Sequence, residues 1–429
     1  MTKAPLRLLA TGVVVALAVA ACGGGGSKAS APGVTATTVT IGSHQPLTGV
    51  AAPGYSEIAP ASNAYFKYIN ANGGINGRTI NYTYLDDGYN PANTVTVVHK
   101  LVEQDKVFAI FNGLGTPTHQ AVVSYLNQQK VPDLFVASGC LCWNQTTTDP
   151  ETFGWQPDYT VEGKILGQYI AKNFPGKKVG IFAQNDDFGT NGIKGLEDEI
   201  PASSVVSTQR YDPTNIKITP QVQALQQSGA EIVVSFSVPA FTALLKLTSV
   251  ALKFNPQLVV SNVGSDPITL SGLISSFSKG KAPGQALIQG IISDTYLAPP
   301  SDASNSWIQL FKKIHDKYIP KLPFDGNVEY GMAAAYTFAQ ALKAAGKNPT
   351  RASIVAAVEK GGFSGPGLVP FAFSSSSHSG YTGVQIAKIQ GLVGVPVGTP
   401  LVTDDTPKGA ITPYTTAEPA APSNGIPSD

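Results

Sequence analysis

Phe111-Asn112-Gly113-Leu114-Gly115-Thr116-Pro117-Thr118-His119-Gln120 is the stretch on which the reading of this chain turns. The apolar run before it, residues 107–111, reads as a buried strand, and after it Ala121, Val122, Tyr125 and Leu126 fall on one side of a helix. Gly113 and Gly115 permit a tight turn. Thr116 stands where an N-cap is wanted and Pro117 where a first helical residue belongs. Strand, glycine turn and capped helix start together predict a small anion site, with the N–H groups of Thr118 and His119 free and the helix dipole favouring negative charge. A threonine that only caps its helix has the same local signature, so the surrounding chain has to decide between the two.

Upstream, residues 39–42 begin a strand. A helix follows with Ile58, Ala61, Tyr65, Tyr68 and Ile69 in register, closed by Asn72-Gly73-Gly74. Alternating Ile80, Tyr82 and Tyr84 make a second strand, ending at Asp86-Asp87-Gly88, and Asn90-Pro91 starts a second helix. Downstream, residues 134–136 read as a strand that opens into a loop at Ala137-Ser138-Gly139. This alternation predicts a mostly parallel sheet with helices on both faces and ligands beyond the carboxyl ends of the strands. From residue 158 a second alternating set follows, through strands near 179–182, 205, 232–236 and 258–260. Residues 291–296 then look like a crossover strand, and 384–389 like a late one. Two such halves predict two lobes with a cleft between them.

The chain has 429 residues, of which 13% are charged, and no basic run, so nucleic acid is not an expected partner. The leader is positively charged at Lys3 and Arg7, and residues 8–21 form an apolar core too short for a membrane span, which needs about 20 residues. It ends in Val19-Ala20-Ala21-Cys22 followed by four glycines, which resembles a bacterial lipoprotein cleavage site. That resemblance implies that residues 1–21 are a signal peptide, that Cys22 carries lipid, and that residues 22–37 are a flexible tether. The remaining cysteines, Cys140 and Cys142, are separated by one residue. The spacing suits an ordinary disulfide poorly and favours structural or free thiols, although a tight loop in an oxidising compartment could force the bond. From Thr403 the Pro-, Thr-, Ala- and Ser-rich composition predicts a disordered tail over 403–429.

Several runs together resemble the type I periplasmic solute-binding proteins of ABC importers, the branched-chain amino acid (leucine-binding) group. They are Ile41-Gly42 with Pro46-Leu47-Thr48-Gly49, Tyr68-Ile69-Asn70 with Asn72-Gly73-Gly74-Ile75-Asn76-Gly77-Arg78, Asp86-Asp87, Gly115-Thr116, and Asn185-Asp186-Asp187-Phe188-Gly189. The run 154–159 with Glu162-Gly163 is closer to the branch that imports aromatic acids. The resemblance implies an α/β fold of two doubly wound parallel-sheet lobes joined by three crossovers. Lobe 1 would take 38–157 and 295–365, and lobe 2 would take 158–292 and 370–400.

The family's ligand-carboxylate residue falls on Thr116, with Thr118 beside it, and the loop offering backbone and hydroxyl groups falls on Ala137, Ser138 and Gly139. Aromatic walls would be Tyr55 and Phe188, with Trp143 a further candidate. Where amino acid binders place an acid for the ligand ammonium, this chain has Asn262 and Val263, with Asp266 a few residues late. An unpaired buried ammonium is costly, so this departure favours an aromatic or branched carboxylate over an α-amino acid.

The resemblance implies a lipid-anchored receptor on the extracytoplasmic face of the membrane. It would be monomeric and free of cofactors, and would hand a small organic solute, a branched-chain amino acid or an aromatic or branched carboxylate, to the membrane subunits of an ABC permease. The alternative is a sensor of the same fold feeding a signalling partner. No hydrolase elbow and no metal-ligand spacing among His44, His99, His119, His315 and His378 supports an enzyme.

Overall fold

In the computed structural model, residues 1–2 and 31–427 are described. The leader core, Cys22 and most of the expected tether lie outside them. Residues 31–427 belong to one compact unit. Its first sheet is built from β1 (Thr38–Gln45), β2 (Thr79–Asp86), β3 (Ile110–Phe111), β4 (Asp133–Val136) and β5 (Thr152–Gly154), in the order β2-β1-β3-β4-β5 with every pair parallel. The expected long strand 107–111 is regular only at its last two residues. The kinked turn α1 (Ala52–Tyr55) and helices α2 (Ile58–Ala71), α3 (Pro91–His99), α4 (Thr116–Gln120) and α5 (Val123–Gln128) connect these strands. Asn90 caps α3 as expected, its side chain accepting from the N–H groups of Ala92 and Asn93.

The second sheet takes β6 (Val179–Gln184), β7 (Val205–Tyr211), β8 (Ile232–Phe236), β9 (Gln257–Val260) and β10 (Ile292–Thr295), all parallel and in the order β10-β9-β8-β6-β7. Helices α6 (Tyr159–Asn173), α7 (Asp187–Glu199), α8 (Thr219–Gln227), α9 (Pro239–Ala251), α10 (Pro267–Phe277) and α11 (Gly284–Leu287) cover it. Helices α6 and α7 cross closely because both carry glycines at the contact. A Cβ on Gly163 would sit 2.3 Å from the carbonyl oxygen of Gly192. The chain then returns to the first lobe as α12 (Ser306–Tyr318), α13 (Gly326–Ala344) and α14 (Arg351–Glu359). It comes back again as β11 (Gly383–Gln390), which pairs antiparallel with β10 and with β12 (Val393–Pro396) and β13 (Leu401–Val402); β14 (Thr412–Pro413) adds to β13.

The three passages between lobes meet at one aromatic cluster. Trp155 from the first lies edge-on to Tyr296 from the second, at 5.9 Å, and to Tyr381 from the third, at 5.2 Å. Its indole N–H donates to Thr337 Oγ1 at 3.0 Å. The core thus runs through the hinge, which fixes how the two strand-end surfaces face each other.

Two sequence expectations are corrected. Residues 31–37 are not loose: Val34 bridges Val39, and the N–H of Thr40 donates to the carbonyl of Gly33 at 2.8 Å. Residues 403–427 are not a disordered tail but a strap tied to both lobes. Lys164 of α6, fully buried, donates through Nζ to Thr403 Oγ1 and to the carbonyls of Asp404, Thr406 and Gly409 at 2.6–3.0 Å. Further on, Trp307 Nε1 donates to the Pro419 carbonyl, and Tyr65 OH to that of Gly425, both at 2.7 Å. A polar, proline-rich segment stays ordered here because its carbonyls meet donors that would otherwise be buried without partners.

Candidate ligand-binding cleft

The strand ends of the two sheets face each other across a cavity of about 190 Å³. From the first lobe, Gly115 takes φ of +105°, and a Cβ there would meet Thr118 Oγ1 and the Tyr89 ring at 2.5 Å, so only glycine lets the loop pass. Gly115, not Thr116, is the residue preceding α4, and no side chain caps that helix. Thr116 is instead its first residue. Its hydroxyl pairs with that of Ser138 at 2.7 Å. The predicted anion site is therefore altered. Helix α4 has only five residues, the His119 N–H is already given to the Gly115 carbonyl, and Thr118 Oγ1 donates to Leu114 O at 2.6 Å.

Behind this loop lies a buried chain of side chains. Asp87 Oδ2 meets His44 Nδ1 at 2.8 Å, His44 Nε2 meets His119 Nδ1 at 2.9 Å, and His119 Nε2 meets Asp133 Oδ2 at 2.7 Å. Burial holds the His44 imidazole below its ordinary pKa, against the raising effect of Asp87. The chain braces the 113–119 loop against β1 and β4 and does not line the cavity.

The remaining candidates divide. Tyr55, Thr116, Ala137, Phe188, Asn262 and Asp266 line the cavity. Ser138, Gly139 and Trp143 line a small neighbouring recess, Ser138 reaching the cavity wall only through Thr116. Trp143 is 1% exposed and packs edge-on against His119 at 5.0 Å. Thr118 is buried in its own loop. Phe188 packs on Tyr159 with ring centroids 4.4 Å apart, and Asp186 caps α7 through the N–H groups of Phe188 and Gly189. Cys140 and Cys142 are disulfide-bonded, contrary to the thiol reading, because the turn brings their Cα atoms to 5.0 Å. Among the described residues the one cluster with metal-ligand character is Cys140, Cys142 and Asp187, and bonded sulfurs offer no thiolate.

Both rims are bridged, so the lobes are closed. Tyr55 OH donates to the Val263 carbonyl at 2.6 Å, and the Gly326 N–H donates to Asp266 Oδ2 at 3.1 Å. On the other side Gln120 Nε2 donates to Asp187 Oδ2 at 2.5 Å, and the Leu141 N–H to Asn191 Oδ1 at 3.0 Å. Asp266 also caps α10 through the Thr269 N–H. Its place at the rim is thus a structural one as well.

The sequence reading missed the acids. Glu162 of α6 is fully buried and accepts from Ser261 Oγ, the Asn262 N–H and Asn262 Nδ2 at 2.7–3.0 Å. Asp294 of β10, 4% exposed, lines the cavity; its Oδ1 accepts from the same Asn262 N–H, and its Oδ2 has no hydrogen-bond partner. The two carboxyls share the Asn262 N–H between them. Burial first, then the charge of Glu162, pushes Asp294 well above the usual carboxylate range. Tyr89, Tyr296, Glu329 and Tyr330 also line the wall, and among the described residues no Lys, Arg or His does. A carboxyl inside the apolar strand 291–294 was the available signal.

Residues 38–392 match the family profile of periplasmic binding proteins. The chain belongs to that family. The Leu/Ile/Val-binding protein homolog 1 of Brucella abortus is 25% identical to it over 342 residues, covering 76% of this chain and 83% of the relative. Among solved structures, the branched-chain amino acid ABC transporter protein of Thermus thermophilus with bound valine superposes with a TM-score of 0.73 at 21% identity. The alignment covers 86% of this chain and 97% of that one. The fatty acid ABC transporter substrate-binding protein of Thermomonospora curvata reaches 0.74 at 24% identity over 88% and 95%. This periplasmic binding protein is a solute-binding protein with the two-lobed type I fold. It binds rather than transforms its solute and acts outside the cytoplasm. No helix among the described residues is long and apolar enough to cross a membrane.

Proposed function

We propose that this protein captures a small solute bearing an amino group, of the α-amino acid kind, and passes it to the membrane subunits of an ABC importer. The observation that carries the reading is Asp294. It is a buried carboxyl in the cavity wall with one oxygen unpartnered, in a cavity that no cationic side chain lines among the described residues. A ligand ammonium meets Asp294 and, behind it, Glu162. The ligand carboxylate meets the hydroxyl of Thr116, and its apolar portion lies against Tyr55 and Phe188. An aromatic or branched carboxylate without an amine would enter an acidic cavity with no counter-charge, which costs more than the apolar contacts return. The bound valine of the Thermus thermophilus structure is consistent with this chemistry.

The anchor is lipid on Cys22 after removal of residues 1–21, and the protein works as a monomer. A thermal-shift screen tests the solute class. A ligand at about a thousand times its dissociation constant adds about 4 kcal/mol, so α-amino acids should raise the melting temperature by several degrees. Shifts confined to benzoate- or cinnamate-type acids would overturn the proposal. The anchor is tested separately: Cys22→Ser should move the protein out of the membrane fraction.

A further inference from the structure

The cavity has a second acidic region that an α-amino acid with an apolar side chain leaves unused. Glu329 of α13 lines the wall and is 3% exposed, and its carboxyl has no hydrogen bond or ion pair among the described residues. It is the sole acid in a helix whose neighbouring positions are Ala333, Ala334 and Ala335, all fully buried. An alanine there would spare the fold an unpartnered buried carboxyl, a desolvation cost with no internal return.

Glu329 sits in the first turn of α13, close to the Gly326 N–H that donates to Asp266 Oδ2, whereas Asp294 is in β10 and shares the Asn262 N–H with Glu162. The acids of the cavity thus fall on different elements, in two regions. One lies at the end of β10. The other lies where α13 meets the N-terminus of α10, with apolar wall such as Ile58, Val263 and Pro299 in the same cavity. Burial and the surrounding acids push Glu329 well above its usual pKa, so a cation placed beside it would favour its ionised form.

We infer that the solute carries a second protonated nitrogen, as a diamine or basic amino acid does, with one cation at Asp294 and the other at Glu329. This rests on the amino-bearing reading above and narrows it. A neutral Glu329 donating to a ligand amide is the competing chemistry, and glutamine is its probe.

The test is calorimetric titration of the protein with lysine, arginine, 1,4-diaminobutane, leucine, glutamine and 4-methylpentanoate. At least one of the three dication-bearing probes should bind tenfold or more tighter than leucine and glutamine. Glu329→Gln should remove that advantage while leaving leucine affinity within about twofold. Repeating the titration in buffers of different ionisation heat gives an independent reading without a variant: the dication-bearing probe should release more protons than leucine, because Glu329 ionises on binding. Leucine or glutamine binding as tightly as the dications, or equal proton release, overturns the second cation and leaves the amino-bearing reading standing. Binding of 4-methylpentanoate alone, or of no probe, overturns both.

Discussion

At the scale of single residues, the cleft is held by side chains that each do more than one thing. Thr116 pairs with Ser138 and also presents its hydroxyl to the cavity. Thr116→Val should weaken an α-amino acid by about 1–3 kcal/mol, the value of a hydrogen bond to a charged partner, and should also lower the melting temperature of the free protein, because the buried Ser138 hydroxyl loses its partner. A titration that finds equal affinity would remove Thr116 from the site.

The rim carboxyls also make stability depend on pH. Burial and neighbouring acids push Glu57 up to about 8 and Asp325 up to about 6. A raised carboxyl binds its proton more tightly folded than unfolded. Its contribution is therefore fully present below the unfolded pKa of about 4 and is lost as pH rises through the folded value. The ligand-free protein should melt at a progressively lower temperature as pH is raised from about 5 to about 8. A flat or rising profile would contradict these assignments.

At the scale of elements, the strap over residues 403–427 compensates a buried charge. Lys164 has four oxygen partners on it and is fully buried. Deleting the chain from Thr403 onward should destabilise the protein by about 3–5 kcal/mol, the usual cost of leaving a buried charge unpaired. Lys164→Met in the shortened chain should recover part of that loss. Denaturant melts of the three proteins check it, and no recovery would mean that the strap acts through its lobe 1 contacts instead.

The same element shows where the sequence stops being informative. The βα alternation was legible because apolar periodicity and glycine or asparagine punctuation are local signals, and the Asn90 cap fell where its residue type pointed. The strap was not, since its order comes from donors on distant elements such as Lys164, Trp307 and Tyr65. Asp294 and Glu162 escaped for a related reason. One sits in a strand and the other in a helix, and only the folded sheet brings them together over Asn262. Thr116 lines the cavity, but the expected cap position was one residue off, because Gly115 rather than Thr116 precedes the helix.

At the scale of the whole molecule, two sheets turn their strand ends to a common cavity, and the three crossovers are pinned at Trp155, Tyr296 and Tyr381. Closure is made by a few cross-lobe hydrogen bonds at the rims, and a ligand held between the lobes favours the closed arrangement by as much as it binds it better than the open one. The most direct test of the amino-bearing account is calorimetry with an α-amino acid and its deaminated analogue, on the natural protein and on Asp294→Asn. The amino acid should bind and the analogue should not, and Asp294→Asn should cost the amino acid about tenfold or more in affinity. Equal binding of the deaminated acid, unaffected by Asp294→Asn, would contradict the account.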